Sequence, residues 1–353
     1  MTASPIRWGI IGTGHIARRF AGDLRHSATG RLVAVGSRDA GKAAAFAAQF
    51  GDEIASGETA AVLERGDVDA VYVGTVNRAH APLALSALEA GKPVLVEKPL
   101  APTWRDAEAV RAAASARGLL AMEAMWMVFT PGIIRLKAML AEGAIGSARS
   151  LSANLSYARP YRPGEEIFDP ETGGALLDLG VYPVALALHL FGAADETAAI
   201  VERNGAGSVR QASLISRHGQ VLTKLSCGFE TEGPNGATVS GEHGRIALAG
   251  PFFCPPSLTL TRHFAGSRLD YRDERAAATS GDAAGDQPPP SRPALNAPKA
   301  ETLPTPFAGS GLQYQADHFA ECLCAGLVES PLHPLSRSLA ALRIMEQAQR
   351  SGG

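Results

Sequence analysis

Residues 8–17 read Trp-Gly-Ile-Ile-Gly-Thr-Gly-His-Ile-Ala, an apolar strand that runs into Gly-x-Gly-x-x-Ala and then into a helical stretch. A glycine triplet alone occurs in many loops, but between a strand and a helix it constrains the fold. Gly12 makes the tight turn, Gly14 lets the backbone approach a pyrophosphate, and Ala17 keeps the helix close to the strand. The free N–H groups of the turn and helix start, at Thr13, His15 and Ile16, then favour an anion. His15 itself reads as a solvated side chain. Between residues 7 and 122, compact apolar runs at 8–11, 32–35, 70–73, 94–96 and 119–122 alternate with Ala-rich stretches, the pattern of a parallel sheet built from βαβ units. Helices are expected over 15–24 and 79–90, the second closed by Gly91 ahead of Lys92-Pro93.

Beyond Pro131 the texture changes. A helix is expected over 132–141, and strands over 149–158, 211–216, 221–227, 237–240, 245–248 and 258–261, several with alternating polarity. The fold class is therefore α/β: a Rossmann dinucleotide-binding domain over 1–127, then an α+β domain over 128–353 with a large, open, mainly antiparallel sheet. Such a sheet can leave one face free, which solvent covers as well as a second copy does; a homo-oligomer through this sheet, most simply a dimer, is the expectation. Residues 276–306 carry Pro288-Pro289-Pro290 among Ala, Gly, Asp and Ser and read as a mobile loop. Tyr314, Phe319, Cys322 and Leu323, then Leu339, Leu342 and Met345, recur at helical spacing, which predicts two amphipathic helices within 310–350.

A chain of 353 residues, 46% apolar, is long enough for two such cores. Its net charge of -2, from 33 Lys+Arg against 35 Asp+Glu, offers no excess to attract nucleic acid or a membrane surface. No apolar run approaches the roughly 18 residues of a membrane span, and residues 1–8 hold no apolar stretch with a cleavage site, so a cytoplasmic protein with a small-molecule partner is expected. The 4 Cys lack a Cys-x-x-Cys pair and read as buried free thiols, and the 9 His are scattered, so no metal site is predicted. His189, in an apolar helix, reads as a core residue.

NAD-binding chains usually place an acid after the second strand, ~20 residues past the glycines. Here that place reads Gly36-Ser37-Arg38-Asp39. Ser37 does not repel a phosphate, Arg38 offers a planar fork for a 2′-phosphate, and Lys42 lies one turn further on. NADP is expected; NAD stays possible through Asp39.

Three more segments matter: residues 74–80 (Gly-Thr-Val-Asn-Arg-Ala-His), 90–99 (ending Glu97-Lys98-Pro99) and 173–182 (Gly-Gly-Ala-Leu-Leu-Asp-Leu-Gly-Val-Tyr). With residues 122–126 and 314–335, they give the chain a likeness over nearly its whole length. It resembles the glucose-fructose oxidoreductase and inositol dehydrogenase family (Gfo/Idh/MocA), most of all the branch of dimeric dihydrodiol dehydrogenases and NADP-dependent D-xylose 1-dehydrogenases. The resemblance implies hydride transfer between NADP and a hydroxyl of a sugar, polyol or cyclic trans-diol. It makes Lys98 the lysine beside nicotinamide and substrate, with Asp178 as its partner carboxylate and Tyr182 as acid/base. Thr75, Asn77, His80 and Glu97 fall on the cofactor side, although Asn77 and His80 equally suit a helix cap. Trp126 and Phe129 fall on the substrate side, although Trp126 equally suits the core. Val128 stands where relatives often show Arg, which removes a polar contact and leaves the substrate open. Inositol or anhydrosugar oxidation would use the same residues. Non-catalytic dinucleotide-binding regulators share the fold without needing Lys98, Asp178 and Tyr182.

The chemistry also reads from the residues. Oxidising a carbinol needs a base, and a phenol with a pKa near ~10 is too protonated unless a neighbouring ammonium lowers it, which Lys98 is expected to do. Asp178 and Tyr182 stand at i and i+4, one face of a helix, with Pro183 either kinking that helix or starting a new one.

Overall fold

The computed structural model describes residues 5–262 and 299–350. Strands β1 (Ile6–Ile11), β2 (Gly30–Gly36), β3 (Ala55–Gly57), β4 (Ala70–Val73), β5 (Val94–Glu97) and β6 (Ala121–Ala124) form one sheet in the order β3-β2-β1-β4-β5-β6, with every pair parallel. Helices α1 (His15–Asp23), α2 (Ala40–Ala47), α3 (Thr59–Leu63), α4 (His80–Glu89) and α5 (Trp104–Arg117) lie in the crossovers. β4, β5 and β6 are buried along their whole length, which explains why they are apolar except for Glu97 at the end of β5 and Glu123 within β6. β3, the edge strand Ala-Ser-Gly, has no such run and leaves no periodic trace. The chain turns from one half of the sheet to the other between β1 and β4, which opens a crevice at their carboxyl ends.

After α6 (Pro131–Ala141) come β7 (Ala148–Ser156), helix α7 (Val181–Phe191), β8 (Glu196–Arg203), β9 (Val209–His218), β10 (Val221–Gly228), β11 (Ala237–Gly241), β12 (Gly244–Leu248), β13 (Ser257–Arg262) and β14 (Lys299–Pro304). They form an eight-stranded sheet in the order β14-β13-β12-β11-β7-β10-β9-β8, antiparallel except between β7 and β10. One face carries α7. On the other, Ile200, Ile215 and Leu222 stand exposed among polar neighbours, Ile200 at 80%.

One expectation needs correcting. Of the mobile loop expected over 276–306, residues 276–298 lie outside the described residues, but Lys299–Pro304 is an edge strand whose backbone pairs with β13. A Pro-rich composition tolerates this because an edge strand needs ladder partners on one side only, and Pro304 ends the strand. Among the thiols, Cys227 and Cys322 are buried as expected, whereas Cys324 is exposed.

The tail closes back onto the first sheet through α8 (Gln313–Cys324) and α9 (Leu335–Arg350). Phe319 of α8 packs 5.0 Å from Trp8 of β1, whose other neighbour Phe20 stacks on Tyr72. Asp317 accepts from Ser27 Oγ and Thr29 Oγ1, both at 2.6 Å. Deeper, Glu123 of β6 pairs with His333 Nε2 at 2.8 Å, accepts from Ser338 Oγ at 2.7 Å, and takes the Leu100 N–H on its other oxygen. Burial alone would push this carboxyl up, but the bonds from His333, Ser338 and Leu100 hold it below the usual carboxylate range. Its folded pKa is therefore depressed, so its contribution is full above the ordinary carboxylate pKa and fades as the pH falls through the native value. Glu123→Ala strands three buried donors. It should cost roughly 3–5 kcal/mol near neutral pH, measured by urea unfolding, with the difference from the parent shrinking toward pH 3.

Candidate active site

A cleft of about 820 Å³ runs along the carboxyl ends of β1, β2 and β4. Gly12, Thr13, Gly14, His15, Ile16, Ser37, Arg38 and Thr75, all expected on the cofactor side, line it. Gly12 has φ +116°, and a Cβ there would stand 2.3 Å from the Gly74 carbonyl, so the turn tolerates glycine alone. A Cβ on Gly14 would meet nothing within 4 Å and would project into open space beside the start of α1. That space suits a pyrophosphate at a helix N-terminus. The lining includes His15, Arg38 and Arg78 but no carboxylate. Asp39, the possible ribose ligand, is instead the N-cap of α2, where it accepts from Lys42 N at 3.0 Å. Lys42 is drawn off the same way, its ammonium 3.8 Å from Asp39 and outside the cleft lining.

At the carboxyl end of β5, Lys98 enters a second group. Its ammonium donates to the Asp178 carboxylate at 3.0 Å and to the Asp178 carbonyl at 2.8 Å, and stands 5.0 Å from the centre of the Tyr182 ring. The Trp126 indole N–H donates to the Tyr182 hydroxyl at 3.1 Å, and Phe253 stacks on the Tyr182 ring and meets Trp126 edge-on. Pro183 does not separate Asp178 from Tyr182. A π-helical turn over Leu176–Gly180 leads straight into α7, and its wider spacing absorbs the proline ring and missing N–H, leaving both side chains toward Lys98.

The electrostatics differ from expectation at one point. Burial would lower the Lys98 pKa, but the Asp178 carboxylate beside it, above all, outweighs that and the ammonium is held firmly charged. Burial likewise opposes ionisation of Asp178, yet Lys98 and Arg159 keep it below the usual range. The Tyr182 phenol, expected to be acidified, is instead raised: burial dominates, and Lys98 sits over its ring face with its charge committed to Asp178.

Other predicted residues land elsewhere. Glu97 is buried outside the cleft lining, accepts from Tyr72 OH at 2.6 Å and from Lys98 N, and is pushed by burial to about 7; it supports Lys98 from beneath. Both His80 ring nitrogens face backbone carbonyls, Pro99 O at 2.7 Å and Thr75 O at 3.2 Å, and since burial keeps the ring neutral it donates to one of them. Asn77 donates to the Thr172 carbonyl rather than capping α4. Phe129 stacks on His318 of α8 and is core, as are Val128 and His189, the last pushed by burial to about 3. The sequence reading missed Arg78, Arg159 and Phe253. Arg78 lay inside a quoted motif, but nothing in pattern or spacing marks the other two, which reach the site from loops.

Residues 6–125 match the family model described as the GFO/IDH/MocA oxidoreductase family with NAD-binding Rossmann fold, and residues 133–247 match its C-terminal domain. Trans-1,2-dihydrobenzene-1,2-diol dehydrogenase of Mus musculus is 30% identical over 99% of this chain and 97% of its own. The dTDP-3,4-didehydro-2,6-dideoxy-alpha-D-glucose 3-reductase of Streptomyces antibioticus is 37% identical over 72% of this chain and 79% of its own. A 3-ketoreductase from Actinomadura kijaniata, solved with NADP and TDP-benzene, superposes with a TM-score of 0.78 at 29% identity, covering 99% of this chain and 98% of that one.

Gly12→Ala forces a β-carbon against the Gly74 carbonyl in a left-handed turn. We expect a loss of ~1–3 kcal/mol in stability, and NADPH binding weakened at least tenfold in a fluorescence titration; near-normal binding would show that the turn does not cradle the dinucleotide.

Proposed function

Because the chain belongs to the GFO/IDH/MocA oxidoreductase family, we propose that it transfers a hydride reversibly between NADP and a hydroxyl-bearing carbon of a sugar, polyol or cyclic trans-diol. The observation that carries this reading is the group of Lys98, Asp178 and Tyr182 at the carboxyl end of β5, beside a dinucleotide cleft with no carboxylate in its lining. NADP is favoured over NAD because Arg38 lines that cleft while Asp39 is occupied at the start of α2. Relatives named for a trans-diol and for a keto sugar support a substrate with a carbinol or ketone beside another oxygenated carbon. We place cofactor binding in residues 1–127 and substrate binding in 128–353.

Bound NADP supplies the hydride donor or acceptor. Tyr182, kept protonated by burial, gives its phenolic proton to the carbonyl oxygen in reduction and takes it back in oxidation. The Lys98 ammonium offsets the charge that develops on that oxygen, Asp178 anchors Lys98, and Trp126 fixes the phenol oxygen. A raised phenol pKa means the proton is retained through neutral pH. Reduction should therefore stay level up to about pH 10, while oxidation climbs through the alkaline range.

The test follows absorbance at 340 nm with NADP and then NAD over a panel of aldoses, inositols, trans-diols and their ketones. Lys98→Met and Tyr182→Phe should each lose ~100-fold or more in turnover with NADP still bound. A panel without turnover beside tight NADP binding would make the protein a regulator instead, and tighter use of NAD would remove the Arg38 assignment.

We further propose that a second copy covers the sheet face bearing Ile200, Ile215 and Leu222. Light scattering should give twice the chain mass, and Ile215→Glu should halve it; a monomeric mass for the parent protein would refute the dimer.

A further inference from the structure

Asp178 serves two cations. Its Oδ1 accepts from Lys98 Nζ and its Oδ2 from Arg159 Nη1, both at 3.0 Å. Arg159 comes from the segment just past β7. Its backbone N–H donates to the Phe229 carbonyl at 2.8 Å, and its guanidinium lies 5.3 Å from the centre of the buried Phe229 ring. The fork is thus held in place from two sides although the side chain is 38% exposed. If Asp178 served Lys98 alone, the two charges would cancel. With Arg159 on the other oxygen the carboxylate is divided, and the group keeps a net positive charge.

We infer that Arg159 is a positioning residue for hydride transfer: by holding half of the Asp178 carboxylate, it leaves the Lys98 ammonium with charge to offer the substrate oxygen. This rests on the hydride-transfer reading above. Lys98 just past β5, Arg159 after β7, Cys227 of β10 and Tyr182 of α7 all act on Asp178 or feel its charge, and Glu97 and His80 lie near Lys98. Of these, only Lys98 and Arg159 bond the carboxylate through their side chains.

The experiment uses the full chain with NADP and reads Lys98 without needing turnover. Lys98 is acylated with acetic anhydride at one alkaline pH and quantified by peptide mass spectrometry in the parent, Arg159→Met and Arg159→Lys. Only the neutral amine reacts, so a more firmly held proton slows labelling. Arg159→Met should label Lys98 roughly 3- to 10-fold more slowly, the effect of a 0.5- to 1-unit rise in pKa, and Arg159→Lys should stay close to the parent. A residue that merely packed or shielded would give unchanged or faster labelling in Arg159→Met, and that result overturns the inference. Arg159→Gln replaces the Met variant if the latter fails to fold.

On a substrate from the panel, Arg159→Met should lower kcat ~10-fold with the KM for NADP unchanged, and Arg159→Lys should recover most of it. Loss confined to KM, or no recovery with Lys, overturns the role. Slower labelling with no turnover on any substrate removes the hydride-transfer reading and the catalytic role with it. Turnover with unchanged labelling removes only the charge-sharing by Arg159.

Discussion

The ion pair between Lys98 and Asp178 joins the two halves of the molecule where chemistry is proposed. Lys98 leaves the last residue of β5 in the parallel sheet, and Asp178 sits in the π-helical turn before α7 of the other unit. Both are largely withdrawn from water, at 13% and 23% exposure. Desolvating two charges costs about as much as their attraction returns, so such a pair adds little to stability compared with apolar packing. Losing either partner is another matter, since an uncompensated charge would remain. A pair that contributes so little to folding yet constrains two elements so tightly is better explained by what it does to the proton and charge balance of Tyr182 and its surroundings.

That pair is one of several ties across the same line. Asn77 reaches the Thr172 carbonyl, and the Arg78 N–H reaches Glu166, so the loop bordering the dinucleotide cleft is bonded to the segment that precedes Asp178. The His80 ring packs between the Thr75 carbonyl of the same loop and the Pro99 carbonyl, next to Lys98. A displacement of loop 75–79 by a ligand in the cleft would therefore be felt at Asp178 through bonded neighbours. The tail helices set the other boundary, because Glu123 and Trp8 would be incompletely packed without residues supplied by α8 and α9.

What could be read from sequence follows physical range. The glycine turn, β4, β5 and α4 are local matters of periodicity and turn chemistry, and they stand within a residue or two of expectation. β3, β8 and β14 escaped because a short or edge strand needs little apolar sequence; its partner's backbone does the work. Asp178 and Tyr182 share a helix face by spacing, but their meeting with Lys98 was legible only through resemblance, since no spacing brings residue 98 to residue 178. Arg159 and Phe253 were invisible for the same reason without a motif to compensate. Glu97, His80 and Phe129 were expected on the cofactor or substrate side, and their side chains instead meet Tyr72, two backbone carbonyls and His318 of α8 respectively.

The sign of the Tyr182 shift decides how the site is read chemically. A lysine lowers a phenol's pKa most when its ammonium meets the phenolate oxygen. Here the ammonium lies over the ring, while the oxygen is met by the Trp126 indole N–H, a neutral donor. Both interactions favour a fixed ring, but neither outweighs the burial that opposes a phenolate. The resting phenol therefore holds its proton beside a charged amine, the state that can protonate a carbonyl oxygen as negative charge grows on it. Oxidation through the same atoms must begin by sending that proton to solvent. In the proposed reaction this protonation state suits the reducing direction, and the alcohol-oxidising direction would draw on a minor protonation state whose population rises with pH.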